Sequence, residues 1–267
     1  MERYVLRGGR WGYDRLRILA RVRRAETLAL LGRAGVGPGQ RCVDLGSGSG
    51  EVSFELARLT GPDGSVTGID MDEVKLALAR EAAAERGLGN VEFRAANVND
   101  WTEPSAYDLV YSRFLLQHLS RPGDLIRRMW EAVRPGGVIA VEDADFDGLF
   151  CHPPNDGFDF YRRMLPQVVE LNGGDAAIGR KLYRYFLLAG LPAPELRLVQ
   201  DAGAVGDTKD LALSTLEASA DAIVTAGLAS ADQVATALAD LATFAADPQT
   251  VCGSPRTFQL WARRPLA

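Results

Sequence analysis

The 267-residue chain holds only two histidines, His118 and His152, three cysteines and three lysines. Cys42, Cys151 and Cys252 are far apart and odd in number, with no C-x-x-C. They predict reduced thiols rather than a disulfide frame or a zinc site. Lys75, Lys181 and Lys209 stand among many arginines and carry no chemistry by themselves. No run approaches the ~18 apolar residues of a membrane span, and the first residues lack the apolar core of a signal peptide. A cytoplasmic protein without a membrane partner is expected. The net charge of -5 gives no overall attraction to nucleic acid. The arginine-rich stretch from Arg3 to Arg24 alternates with apolar residues, which predicts a helix with a solvated basic face.

Strand-like and helix-like segments alternate along the rest of the chain. Strands are expected at 41–45, 65–69, 91–95, 107–111, 138–141, 196–199 and 257–262. Helices are expected at 51–59, 72–86, 122–133 and 177–189. Such alternation predicts α/β architecture with a mainly parallel seven-stranded sheet and helices on both faces. The expected organisation is a helical segment over 1–37, a core over 38–143 and an aromatic-dense insertion over 144–176. The core resumes over 177–267, with two Ala-rich helices at 207–247 inserted before the last strand. The two insertions read as helical caps that shape an apolar pocket, with packing aromatics or a homodimer surface as the alternatives.

At the first strand stands VDLGSGSGEVSF, Val43 to Phe54. A dinucleotide fingerprint requires G-x-G-x-x-G. Gly46 and Gly48 fit, but Glu51 holds the third slot and the last glycine comes early, at Gly50. A carboxylate where a pyrophosphate meets a helix N-terminus is electrostatically wrong. No Walker-type lysine follows. Asp44, before the turn, suits a cofactor with a positive group and no phosphate.

This arrangement resembles the class I S-adenosylmethionine-dependent methyltransferases, UbiE-like small-molecule enzymes among them. The resemblance rests on the glycine turn, on Asp70 ending GID at the second strand, on YDLVYSRFLLQHL at the fourth and on RPGG before the fifth. It implies a Rossmann-like fold with S-adenosyl-L-methionine as cofactor. Asp70 would accept the ribose hydroxyls, since a carboxylate takes two hydrogen bonds where a phosphate would be repelled. Asn97 stands where the family often has an adenine-binding Asp, with Val98 offering a backbone N–H and Asp100 as the alternative acid. The cofactor-binding set implied is Tyr4, Asp44, Gly46, Ser47, Gly48, Gly50, Asp70, Met71, Asn97, Val98, Arg113 and His118. Tyr4, Trp11 and Tyr13 would fold over the cofactor or form a hydrophobic seam.

Methyl transfer from a sulfonium needs no fixed catalytic residue, and a general base only for a poor nucleophile. His118 and His152, each after a strand, are the two candidates. The acidic cluster Glu142, Asp143, Asp145 and Asp147 reads as solvated or capping, and no metal is expected. The function implied is methyl transfer to an O, N or C atom of a small, apolar or aromatic molecule. A non-methylating reaction such as cyclisation and a non-catalytic binding module are the alternatives.

Overall fold

The computed structural model describes residues 9–266. Helix α1, Gly9–Ala34, leads into strand β1, Arg41–Leu45. The glycine turn then opens α2, Glu51–Thr60, which is followed by β2, Ser65–Asp70. Asp72 caps α3, Glu73–Glu85, by accepting from the backbone N–H groups of Val74 and Lys75 at 3.1 and 3.2 Å. Next come β3, Val91–Ala95, and β4, Tyr107–Arg113. Pro122 starts α4, Pro122–Ala132, where its missing N–H costs nothing. The chain continues through β5, Val133–Asp145, and a short β6, Phe150–His152. Asn155 caps α5, Asp156–Glu170, through a 2.8 Å bond from Phe158 N–H. Then follow α6, Leu182–Leu188, β7, Glu195–Val199, and β8, Ala202–Gly203. Helices α7, Asp207–Thr225, and α8, Ala231–Ala246, precede β9, Val251–Gly253, and β10, Arg256–Arg263.

The main sheet has seven strands in the order β3-β2-β1-β4-β5-β10-β7. Five run parallel, while β10 lies antiparallel to both β5 and β7. Seven strands, mainly parallel and flanked by helices, are what the alternation predicted. Leu45, Ile69, Val110, Ile139, Val141 and Leu260 fill the centre of the core with α4 and α6. The parallel topology brings the carboxyl ends of β1, β2, β4 and β5 to one edge, where open α/β sheets place their ligands.

Two local expectations change. The RPGG segment is not a turn before a strand. Tyr107 pairs with Val133 and Leu109 with Val138, so Arg134 to Gly137 bulge out of a continuous β5. Gly136 is held there by an N–H bond to the Arg264 carbonyl at 2.9 Å. The expected 177–189 helix starts as a 3-10 turn, Ile178–Lys181, before α6. The two insertions pack together as one cap, as the sequence suggested. Phe158, Tyr161 and Leu165 of α5 share a core with Leu216 and Ile223 of α7 and Leu241 and Phe244 of α8. A small sheet of order β6-β9-β8 closes its base.

Candidate active site

The glycine turn is tied to β2 before any ligand is considered. Gly46 and Ser47 both donate to the Ile69 carbonyl, at 2.7 and 2.9 Å. Gly48 N–H donates to Asp70 Oδ2 at 2.9 Å, and Asp72 N–H donates to Asp70 Oδ1 at 3.0 Å. The Asp70 carboxylate is thereby aimed along the turn. Gly48 has φ +54, and a Cβ there would stand 2.8 Å from Leu16 of α1. Helix α1 therefore lies directly across the turn, with Arg15, Leu16, Leu19 and Arg23 against the cavity.

Asp44, at the end of β1, is 2% exposed. Its Oδ2 accepts from the Ser53 hydroxyl at 2.7 Å. Burial pushes its pKa up to about 6; the Ser53 bond and the Arg113 charge oppose this, and the Asp70 charge reinforces it. Glu51 is held by two bonds from Arg86, at 2.9 and 3.1 Å. The acid that replaced the third glycine is thus fixed at the helix start, where it opposes a phosphate.

A cavity of about 390 Å³ runs along the carboxyl edge of the sheet. Asp44, Gly46, Ser47, Gly48, Asp70, Met71, Asn97, Val98, Arg113 and His118 all line it. Met71 is 58% exposed at its mouth. The Asn97 side-chain oxygen accepts from Asn99 N–H at 3.0 Å. Asp100 is not among the lining residues. Arg113 donates to the Thr27 hydroxyl at 3.0 Å.

Not every expected residue lines the cavity. Gly50 does not line the cavity. Its φ of +79 is required by the turn, and a Cβ would meet Phe93 at 2.8 Å and Phe54 at 2.9 Å. It serves the packing beneath the turn. His152 is exposed on β6 beside Val251 and lies outside the lining. Tyr4 lies outside the described residues, as does the Trp11 side chain. Tyr13 is buried but does not line the cavity; it packs with Arg17, whose guanidinium lies 6.0 Å from its ring centre. Of the acidic cluster, Asp147 is exposed while Glu142, Asp143 and Asp145 are buried, and Asp145 caps the following turn by accepting from Asp147 N–H at 3.2 Å. Glu142 is fully buried and accepts from Thr27, Tyr111 and Gln259. Asp143 accepts from the backbone of Gln117 and Ala144, and Asp145 is paired with Arg180 and Arg256. These acids brace β5. Among the described residues no group of three or more His, Cys, Asp or Glu could hold a metal.

His118 borders the cavity, yet burial and the nearby positive charges of Arg15 and Lys75 push its pKa down to about 3. A neutral imidazole with so weak a conjugate acid can accept a hydrogen bond but is a poor proton acceptor near neutral pH.

The buried Asp44, the aimed Asp70 carboxylate and the close-packed glycines make a cradle for a cationic nucleoside and offer no cluster for phosphate. A family model described as "Methyltransferase domain" matches residues 37–187, more than half the chain. The chain belongs to the class I S-adenosylmethionine-dependent methyltransferases. It is 29% identical over 177 residues to the ubiquinone/menaquinone biosynthesis C-methyltransferase UbiE of Vibrio parahaemolyticus, covering 64% of this chain and 66% of that protein. The UbiE protein of Yersinia pestis (strain Pestoides F) is 32% identical over 155 residues, 57% of this chain and 59% of that one. The matched stretch thus spans less than two thirds of either relative. A putative methyltransferase from Bacillus halodurans has the same fold, with a TM-score of 0.62, 16% identity and coverage of 90% and 99% of the two chains. The [4+2]-cyclase SpnF also shares it, at TM-score 0.55 and 20% identity, covering 91% and 81%. In this methyltransferase the family match ends at residue 187, so α7 and α8 of the cap lie beyond it.

Proposed function

We propose that this chain transfers the methyl group of S-adenosylmethionine to an O, N or C atom of a small, apolar or aromatic molecule. The observation that carries the reading is the division of one cavity. Its β1–β2 side presents Asp44, the glycine turn and Asp70. Its β5–β10 side is closed by Phe146, Tyr161, Leu165, Val169 and Leu211. When bound, the cofactor supplies an electrophilic methyl on a sulfonium. Asp44 would balance the positive end of the molecule and Asp70 would hold the ribose hydroxyls. Asn97 and Val98 would flank the base, and Met71 would cover it at the mouth. The cap excludes water and orients the acceptor. Holding two reactants in line can by itself contribute about 7–11 kcal/mol, so a buried site without a strong base suffices for an activated nucleophile. The chain would work in the cytoplasm, and its mass in solution by light scattering decides whether it is a homodimer.

The test is stoichiometric. The protein is incubated with S-adenosylmethionine and a panel of aromatic acceptors, and products are separated by mass. Equal amounts of S-adenosylhomocysteine and a singly methylated acceptor are expected. An acceptor converted with no S-adenosylhomocysteine formed would replace methyl transfer by another reaction.

A further inference from the structure

Four cations line the cavity; Lys75 pairs with Asp72 and Arg113 acts on Asp44, which leaves Arg15 and Arg23 of α1. The cavity's lining carboxylates, Asp44, Glu51, Asp70 and Asp72, all belong to the glycine turn, the start of α2, or the end of β2 and the cap of α3. The half beneath the cap contributes no carboxylate to the lining, and Arg23 reaches it through Asp201, whose carbonyl accepts from Ser254 N–H. Arg15 is 7% exposed and Arg23 only 1%. Arginine is almost never so fully buried unless its donors are used.

In Arg23 they are only partly used. Nη1 pairs with Asp201 in the segment between β7 and β8. Among the described residues, Nε and Nη2 have no hydrogen-bond partner. Those two nitrogens form one edge of the planar guanidinium, with their N–H bonds parallel. This is the side-on fork that receives both oxygens of a carboxylate. Thr257, at the start of β10, is also 1% exposed and lines the cavity, and its hydroxyl likewise has no partner among the described residues. Ser254 lies alongside and is fixed through its N–H to the Asp201 carbonyl at 2.9 Å. Three features therefore converge on the acceptor half: a buried cation with a free fork, an unengaged hydroxyl, and apolar walls from the cap.

We propose that the methyl acceptor is an apolar or aromatic carboxylate, whose anion docks side-on to Arg23 with Thr257 as a second donor. This rests on the reading that the cofactor fills the β1–β2 half. Arg23 is a specificity-determining residue in this account. It anchors the acceptor and takes no part in proton transfer. Asp201 takes Nη1 and leaves the Nε/Nη2 edge to the ligand.

The probes are 2-naphthoate and its near-isosteric neutral counterpart 2-naphthamide, titrated calorimetrically into protein saturated with S-adenosylhomocysteine. The carboxylate is expected to bind at least about tenfold tighter than the amide, the discrimination a bidentate charged contact gives. Arg23→Gln should reduce that preference to about threefold or less, and Arg23→Lys, a point charge without the fork, should fall between. Affinity for S-adenosylhomocysteine should stay within about twofold in both variants, a readout that a general loss of structure would move. Should Arg23→Gln not fold, Asp201→Asn gives the second arm. It removes the competing anion and should tighten 2-naphthoate severalfold. Equal binding of acid and amide, no binding of either at millimolar concentration, a preference that survives Arg23→Gln, or unchanged or weaker binding in Asp201→Asn would overturn the proposal. Failure of wild-type protein to bind S-adenosylhomocysteine would instead overturn the cofactor reading, and the same pair titrated into nucleotide-free protein separates the two.

Discussion

Asp44 is the side chain whose ionisation should be felt most directly by the cofactor. Its pKa of about 6 in the free protein stands above the ordinary 3.8 because it is buried. A bound cation favours the carboxylate form. Affinity for S-adenosylmethionine should therefore weaken as pH falls through about 6, with proton release on binding near that pH, measurable by calorimetry in buffers of different ionisation enthalpy. Stability runs the other way. A group protonated more readily in the folded state contributes most below the unfolded pKa and loses that contribution as pH rises through the folded one. Asp143, pushed up to about 7 by burial, acts in the same direction. The free protein should accordingly melt at a higher temperature at pH 5 than at pH 7.5. The difference is less than the two acids alone would give, because His118, held neutral below the ordinary imidazole value, opposes them. His118, held neutral, should leave no step between pH 6 and 7 in kcat/KM. His118→Gln should cost less than the roughly 10²–10⁴-fold expected of a general base.

Residue by residue, the site was partly legible. Asp44, Gly46, Gly48 and Asp70 stand out because backbone geometry and spacing restrict what can occupy a strand–turn–helix junction. Gly50 belonged to the same pattern but answers to Phe54 and Phe93, which only the packing reveals. Gly50→Ala should destabilise by about 1–2 kcal/mol from its left-handed backbone alone, with further loss from the clash, read as a lower melting temperature. Arg23 was not legible, since an arginine among arginines on a helix reads as solvated. The available signal was its place on the stripe of Leu16, Leu19, Ala20 and Thr27, the face that α1 turns inward.

At the scale of elements, the long strands and helices, the two Ala-rich cap helices included, were legible in the sequence, and the short cap strands were not. The strands β6, β8 and β9 have only two or three residues each, too few for an alternating pattern to register. The RPGG bulge looked like a turn because its composition is that of a turn, while the pairing of Val133 with Tyr107 depends on a distant strand. That the 144–176 and 207–247 segments form a lid was expected; which of their side chains meet is a tertiary matter that no local pattern encodes. The cap hinges on close approach of α5 to α8. A Cβ at Gly157 would stand 2.5 Å from the Ala237 carbonyl and 2.9 Å from Leu241 N. Gly157→Ala should separate these helices and raise KM for the acceptor severalfold, while affinity for the cofactor, held by the other half of the cavity, stays nearly unchanged.

For the molecule as a whole, the account divides labour between a sheet edge that holds a nucleoside and a helical cap that selects what reacts with it. The first half uses residues dictated by chain geometry and lies within the stretch that the family model matches. The second half is built from side chains brought together by tertiary packing, so the acceptor is recorded in Arg23, Thr257 and the apolar walls rather than in a motif. The central claim is that the cradle is made for S-adenosylmethionine and its product. Calorimetric titration of S-adenosylhomocysteine and of NAD into the wild-type and Asp70→Ala proteins tests it most directly. The account predicts one equivalent of S-adenosylhomocysteine bound by wild type, stabilising it by about 2.7 kcal/mol at one hundred times the dissociation constant. It predicts loss of most of that affinity in Asp70→Ala and no binding of NAD. Binding of NAD to the wild type, or undiminished S-adenosylhomocysteine binding in Asp70→Ala, would contradict it.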